Sequence, residues 1–216
     1  MPDLHFAFER VEVEAFAVTP QLAFILRLTN STPDETIHTV ALRVQVQLET
    51  TRRLYNAQEQ KNLRDLFGEP ERWSKTLKTF LWTHASTIVP SFSGTTLVNL
   101  PVPCTFDFNV AATKYFAGFD EGEVPLCLQF SGTVFYSQDG GALQVVPIPW
   151  DKEVRFRMPV KIWKDLMDAY YPGTAWLCLQ RDAFEQLFRY KVEQGIPTWE
   201  QALESLFRVA EEEVES

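Results

Sequence analysis

The sequence contains few of the side chains that most catalytic and metal sites use, with only three histidines and three cysteines among 216 residues. His5, His38 and His84 are far apart in the chain, and no pair has the HxxxH or HxH spacing of a metal site. The GxSxG nucleophile motif and the phosphate-binding motifs GxxxxGK and GxGxxG are also absent. We therefore predict no catalytic residue, no metal ligand and no cofactor.

Basic residues are also scarce: the chain has 20 lysines and arginines but 29 aspartates and glutamates, which gives a formal net charge of -9. Nucleic acids and anionic membranes bind basic surfaces, so this balance argues against both as partners. No apolar run approaches the length of about 18 residues that suggests a membrane span. The first residues also lack the basic and then apolar pattern of a signal peptide. These absences predict a soluble, cytoplasmic protein.

The cysteines do not suit a disulfide framework. Cys104, Cys127 and Cys178 are odd in number, have apolar neighbours and lack the CxxC spacing of redox or metal motifs. We interpret them as small buried hydrophobic residues in a reducing compartment.

Alternating hydrophobicity predicts that β-strands dominate residues 1–158. It is clearest at 22–28 and 40–48, which we interpret as antiparallel neighbours in one sheet joined by a turn at 30–35. We predict an edge strand at 6–13, further strands at 95–101, 106–112, 126–136, 143–145 and 154–158, and a hairpin turn at 138–141. Short connections between eight or nine candidate strands predict a mainly antiparallel β-sandwich with immunoglobulin-like layers.

Helical spacing interrupts this pattern at about 56–82 and replaces it after 158. Asn56 and Glu59 have the spacing of a capping box, and Gly68 is a typical helix end. A second apolar stripe runs from Trp73 through Leu77 to Phe80 or Leu81. Three C-terminal helices are predicted, one from 159 to 170, one capped by Asp182 and one capped by Thr198. Each has one apolar face, which must pack on the sandwich, on another helix or on another molecule.

The predicted class is therefore α+β. We expect residues 1–158 to form the β-sandwich with its helical insertion, and residues 159–210 to form a helical region packed on it as one compact unit. Residues 211–216 form a frayed acidic tail, because negative charge at a helix C-terminus opposes the helix dipole.

Aromatic residues are abundant, with 17 phenylalanines and six tryptophans, and they supply the candidate binding site. Large amphipathic side chains give contact area together with a polar group, which makes Trp73, Trp82, His84 and Trp150 the candidate binding residues. The alternative for the run from 73 to 84 is that it packs the helical insertion into the core.

Four segments resemble an uncharacterised bacterial family, one with no assigned activity: RWSKTLKTFLWTHASTIVPSF, LPVPCTFDFNVAATKYF, EVPLCLQFSGTVFY and VPIPWDKEV. The resemblance covers nearly the whole chain, and genes of that family lie beside those of uptake nickel–iron hydrogenases. It implies an accessory protein of hydrogenase assembly or operation. Its implied partner is a hydrogenase subunit, a maturation factor or a redox protein. The resemblance assigns no role to any residue.

Three functions are open at this point. The favoured one is a non-enzymatic accessory or protein-interaction module. The second is a metal-assisted hydrolase or cofactor-handling enzyme whose ligands the fold assembles. The third is a small-ligand carrier with a cavity between the sheet and the helices. No sequence signal indicates the partner, the binding face or the oligomeric state.

Overall fold

Eight strands and seven α-helices make up the part of the chain that the structure, a computed structural model, describes: residues 1–14, 16–32, 35–105, 110–137, 141–174, 177 and 179–214. The protein is α+β, as predicted. It divides into two compact units, residues 1–174 and residues 175–216. None of the described helices has both the length and the apolar composition needed to cross a bilayer.

The smaller antiparallel sheet has three strands in the order β1 (Leu4–Val13), β2 (Gln21–Asn30) and β5 (Thr95–Pro103). Strand β1 lies at its edge, as predicted. The central strand β2 buries four alternate side chains, Leu22, Phe24, Leu26 and Leu28. Burial of this face explains why the period of two is so clear in the sequence.

The larger sheet is built around β3 (Thr36–Leu48) and β6 (Glu123–Ser137), which pair antiparallel along most of their lengths. Strand β4 (Phe80–Val89) pairs with the other side of β3. Strand β6 has 15 residues, so its two halves accommodate different partners. It pairs with β8 (Glu153–Pro159) at its beginning and with β7 (Gln144–Pro147) towards its end.

Aromatic rings from the two sheets meet in a common core. Phe6 of β1 stacks on Phe130 of β6 with ring centroids 4.1 Å apart. Phe8 of β1 stacks on Phe156 of β8 at 3.5 Å. The sheets therefore contact each other through their apolar faces, and these large rings bury much of the area that the core removes from water.

The prediction that segments 22–28 and 40–48 are neighbours in one sheet is wrong. Strand β2 pairs with β1 and β5, whereas β3 pairs with β4 and β6. The chain crosses between the sheets after Asn30, whose side-chain oxygen accepts hydrogen bonds from the backbone N–H groups of Asp3 and Thr32. Each strand directs one apolar face to the shared core. An alternating pattern therefore indicates that one face of the strand is buried, but it does not identify the strand with which it pairs.

The helical insertion between β3 and β4 is confirmed. It contains α1 (Ala57–Asn62), α2 (Arg64–Phe67), a 3-10 turn at 70–72 and α3 (Trp73–Thr76). The predicted capping box is present, because the side chains of Asn56 and Glu59 each accept a 2.9 Å hydrogen bond from the other's backbone N–H. Gly68 ends α2 at a φ of +75°. The predicted helical stripe from Trp73 to Phe80 is wrong, because α3 ends at Thr76 and Phe80 begins β4.

Helix α4 (Val110–Ala117) occupies part of the segment predicted as a strand at 106–112, and that prediction is wrong for 110–112. Residues 106–109 lie outside the described residues. The buried side chains of α4 are Ala112, Tyr115 and Phe116, which have helical spacing. Taken alone, the apolar residues at 110 and 112 also fit the period of two of a strand. The helical spacing extends further along the chain, to Tyr115 and Phe116, and this segment is a helix.

Three longer helices follow the strands: α5 (Val160–Tyr170), α6 (Arg181–Glu193) and α7 (Trp199–Val214). Helix α5 follows Pro159 as predicted, and the Thr198 side chain caps α7 by accepting a 3.3 Å hydrogen bond from the Gln201 N–H. The predicted cap of α6 is wrong, because Gln180 precedes the helix and Asp182 lies in its first turn. Helix α7 includes residues 211–214 of the tail predicted at 211–216, and residues 215–216 lie outside the described residues. Most of the predicted hairpin turn at 138–141 also lies outside them.

Candidate interaction surface

Helix α6 leaves a stripe of apolar side chains exposed. Phe184, Phe188 and Val192 lie four residues apart along one side of the helix and are 46%, 48% and 60% exposed. No residue of α6 is buried. An apolar stripe at helical spacing that remains in contact with water is typical of a binding face.

Helix α7 extends this surface with Trp199. The Trp199 ring lies 5.5 Å from Phe184 and 6.2 Å from Phe188, measured between centroids. The Lys191 ammonium lies 5.4 Å from the Trp199 centroid, within the range of a cation–π interaction. We call Phe184, Phe188, Val192 and Trp199 the aromatic patch. Further along α7, Phe207 and Val209 are also exposed.

Helices α6 and α7 contact each other through the rings of Phe184, Phe188 and Trp199 and, further along, through polar groups. The hydroxyl groups of Tyr190 and Ser205 are 2.7 Å apart, and Leu187 and Leu203 are partly buried. Among the described residues of the second unit, Ala202 is the only apolar one that is buried. Because most helical stability in proteins comes from packing an apolar face, two helices with so little buried surface need a further contact.

Two of the residues predicted as binding residues, Trp73 and Trp82, are buried in the core of the first unit. The Trp73 indole N–H donates a 2.9 Å hydrogen bond to the Gly68 carbonyl. The Trp82 ring lies 5.0 Å from the Phe116 ring of α4. These contacts correspond to the packing alternative for the segment from 73 to 84.

The other two, His84 and Trp150, are exposed. His84 and Trp82 line one surface cavity of about 610 Å³ on β4, whose lining does not include Trp150. Trp150 is 93% exposed in the turn between β7 and β8. Of the four predicted binding residues, Trp82 and His84 therefore line one cavity together, and the four do not share a single cavity.

The histidines lie on three different strands. His5 of β1 is 3.4 Å from the Asp3 carboxylate, the His38 imidazole of β3 is 2.8 Å from the Ser137 hydroxyl, and His84 lies on β4. Within the described residues, no three His, Cys, Asp or Glu side chains are grouped so that they would hold a metal ion.

Two of the three cysteines are free and buried, in agreement with their interpretation as hydrophobic residues. Burial raises the pKa of Cys104 to about 12 and that of Cys127 to about 11. Both thiols are therefore protonated at neutral pH, the less reactive form. Cys178 lies outside the described residues.

Arg53 joins the helical insertion to the start of β6. Its side chain is 9% exposed and donates to the Glu59 carboxylate at 2.5 Å and to the Glu123 carbonyl. The guanidinium also lies 4.0 Å from the centroid of the Phe119 ring. We call Arg53, Glu59 and Phe119 the arginine clamp. It fixes the insertion through charge-assisted hydrogen bonds in a largely dry environment.

Next to the arginine clamp, two tyrosines form a hydrogen-bonded chain. The Tyr55 hydroxyl donates to the Thr50 carbonyl at 2.7 Å and lies 2.8 Å from the Tyr115 hydroxyl, which therefore donates to Tyr55. Burial raises the pKa of Tyr55 from 10.0 to about 12 and raises the pKa of Tyr115 further. Both phenols stay neutral well into the alkaline range.

We expect this pair to make the protein sensitive to alkali. Because the folded-state pKa of Tyr55 exceeds its unfolded value of 10.0, its contribution is complete below pH 10.0 and is lost as pH rises through about 12. Tyr55 should account for about 2 kcal/mol of the fall in the free energy of unfolding over this range, measured by urea denaturation. Tyr55→Phe should show a smaller fall. An equal fall in both proteins would contradict the assignment to Tyr55.

The aromatic patch was not among the predicted site residues. Its signal was present in the sequence as Phe184, Phe188 and Val192 at intervals of four. The apolar face predicted for this helix rested on Phe184, Leu187 and Phe188, and it left open what covers them. The structure adds that this face is exposed.

Comparison with known proteins identifies a family. The model of the Family of unknown function (DUF6084) matches residues 1–215. No curated protein matches the chain. A solved structure described as a late embryogenesis abundant (LEA) protein is 12% identical with a TM-score of 0.33, over 74% of this chain and 72% of that one. A protein described as ApaA from Bordetella pertussis is 12% identical with a TM-score of 0.23, over 73% and 93%. Likenesses this weak support no argument about function.

Proposed function

The chain belongs to the DUF6084 family, and we propose that it is a non-enzymatic accessory protein that binds another protein through the aromatic patch. The observation that supports this most strongly is the exposure of Phe184, Phe188 and Val192 on one side of α6. Aromatic side chains dominate the binding energy of protein interfaces, because they bury a large area and lose little side-chain entropy.

The partner that we propose is a protein of the hydrogenase system, namely a hydrogenase subunit, a maturation factor or a redox protein. The support for this choice is the resemblance of four segments to proteins whose genes lie beside hydrogenase genes. We place this interaction in the cytoplasm. The two antiparallel sheets of the first unit then serve as a rigid, immunoglobulin-like sandwich scaffold.

The proposal predicts that charge on the aromatic patch abolishes binding. In cells that produce the hydrogenase, the tagged protein should recover a hydrogenase subunit, a maturation factor or a redox protein. The double variant Phe184→Glu/Phe188→Glu should recover little of it. Because each truncated hot-spot residue costs about 2 kcal/mol or more, the dissociation constant measured with the purified partner should rise at least about hundredfold.

A matched control is available in the first unit. Ile88 on β4 and Leu97 on β5 are 67% and 56% exposed, so Ile88→Glu/Leu97→Glu adds the same two charges at other apolar surface positions and should leave binding unchanged. Circular dichroism of each variant checks that the helices remain. Binding of the hydrogenase protein by the double variant as tightly as by the wild type would contradict the proposal.

A further inference from the structure

Positive charge is concentrated at one edge of the larger sheet, although the chain as a whole is acidic. Arg52, Arg155 and Arg157 line a surface groove of about 440 Å³, together with Glu49, Pro125 and Phe156. We call this cavity the arginine groove. Arg155 and Arg157 are alternate residues of β8, so their side chains leave the strand on the same side.

A buried carboxylate fixes two of the three guanidinium groups. The Glu49 side chain is 10% exposed and lies 3.3 Å from Arg52 and 2.9 Å from Arg155. Arg155 also pairs with Glu153. Three guanidinium groups therefore face two carboxylates, which leaves one net positive charge. A chain with a net charge of -9 has no general reason to collect cations at one point.

Arg157 is the least engaged of the three. Its Nη2 donates a 3.2 Å hydrogen bond to the Arg52 carbonyl, and no carboxylate among the described residues pairs with it. A guanidinium carries five N–H donors in a planar fork that matches the oxygen atoms of a carboxylate or a phosphate. Most of the Arg157 donors are therefore available to an anion in the groove.

The size of the space indicates a small molecule. A neighbouring cavity of about 630 Å³ shares Arg52 and Arg157 with the arginine groove. Its lining adds Leu54, Tyr55, Asn56, Gly122, a third arginine and two carboxylates, namely Arg53, Glu59 and Glu123. Both volumes are in the range of small-ligand sites, about 300–1,000 Å³. Leu54 is 96% exposed, so the second cavity offers apolar contact beside the charged one.

We propose that the arginine groove binds a small organic anion. Its carboxylate or phosphate group is held by Arg157 with Arg52 and Arg155, and its apolar part lies against Leu54. Glu49 is a positioning residue, because it holds two of the guanidinium groups before the ligand arrives. This site is separate from the aromatic patch, and its existence does not depend on the proposed partner.

The test is a titration of the full chain, labelled with ¹⁵N at arginine, followed by nuclear magnetic resonance of the side-chain Nε signals. The probes are inorganic phosphate, phenyl phosphate and succinate, which separate phosphate from carboxylate recognition. We expect a saturable shift of the Arg157 signal with phenyl phosphate or succinate. If phosphate is recognised, phenyl phosphate should bind several-fold more tightly than inorganic phosphate, because it adds apolar contact.

Variants show whether an anion binds at this site or is only attracted non-specifically to positive charge on the surface. Arg157→Gln should weaken binding at least about tenfold, and Arg157→Lys should restore only part of it, because lysine keeps the charge but loses the planar fork. The control is Arg10→Gln, which removes an exposed strand arginine from β1. If Arg157→Gln unfolds the protein, Arg52→Gln provides the same test. The absence of a saturable shift with every probe, or equal affinities of wild type and Arg157→Gln, would overturn the proposal.

Discussion

Replacing Gly132 by alanine is expected to lower the free energy of unfolding by about 4 kcal/mol or more, an exceptional loss for one methyl group. Gly132 lies within β6 at a φ of +140°, which L side chains rarely adopt. A Cβ at this position would lie 2.0 Å from the carbonyl oxygen of Ala41 in the neighbouring strand β3. The obstacle is backbone, so the clash is relieved only by separating the two central strands of the larger sheet.

Gly94 provides the matched control for this substitution. It has a φ of +67° in the connection between β4 and β5, and no atom lies within 4 Å of its ideal Cβ position. Gly94→Ala therefore carries only the conformational cost of a left-handed residue, about 1–2 kcal/mol. Urea denaturation of the two variants measures the difference. Equal losses of stability would show that the approach of Ala41 to Gly132 is not as close as described.

Replacing Arg53 by methionine is the other substitution with a large expected effect, a loss of about 3–5 kcal/mol. Methionine retains an apolar contact with Phe119 but leaves the Glu59 carboxylate without its cation. That carboxylate is only 12% exposed, so water does not replace the lost hydrogen bond efficiently. The helical insertion would lose the hydrogen bond from Arg53 to the start of β6.

Two further variants show whether this loss comes from the buried pair. Arg53→Met/Glu59→Gln should recover part of the stability, because it removes the uncompensated charge. Arg64→Met breaks an ion pair with Glu69 whose side chains are both more than half exposed, and it should cost at most about 1 kcal/mol. If Arg53→Met and Arg64→Met cost the same, the burial of the arginine clamp contributes nothing.

The sequence predicted local structure better than strand pairing. The capping box of Asn56 and Glu59 depends on residues three positions apart, so it is visible in the chain and present in the structure. The pairing of β2 with β5 depends on segments separated by the helical insertion and β4. Alternation within β2 carries no information about that choice, because either neighbour would bury the same apolar face.

The candidate sites differ in the same way. The sequence predicted an apolar face on this helix from Phe184, Leu187 and Phe188. Whether that face is exposed depends on packing against the rest of the fold, which the spacing does not reveal. The arginine groove had no sequence signal at all, since Glu49 and Arg155 are 106 residues apart in the chain. Only the pairing of β3 and β8 with opposite sides of β6 brings their charges together.

The central claim is that the aromatic patch binds another protein, and photo-crosslinking from position 188 tests it most directly. We would replace Phe188 by p-benzoylphenylalanine, place the same group at Trp150 as a control, and irradiate cells that produce the hydrogenase. The claim predicts an adduct from position 188, and not from position 150, that contains a hydrogenase subunit, a maturation factor or a redox protein. Adducts from position 188 that contain only this chain, within one copy or between two, would contradict it.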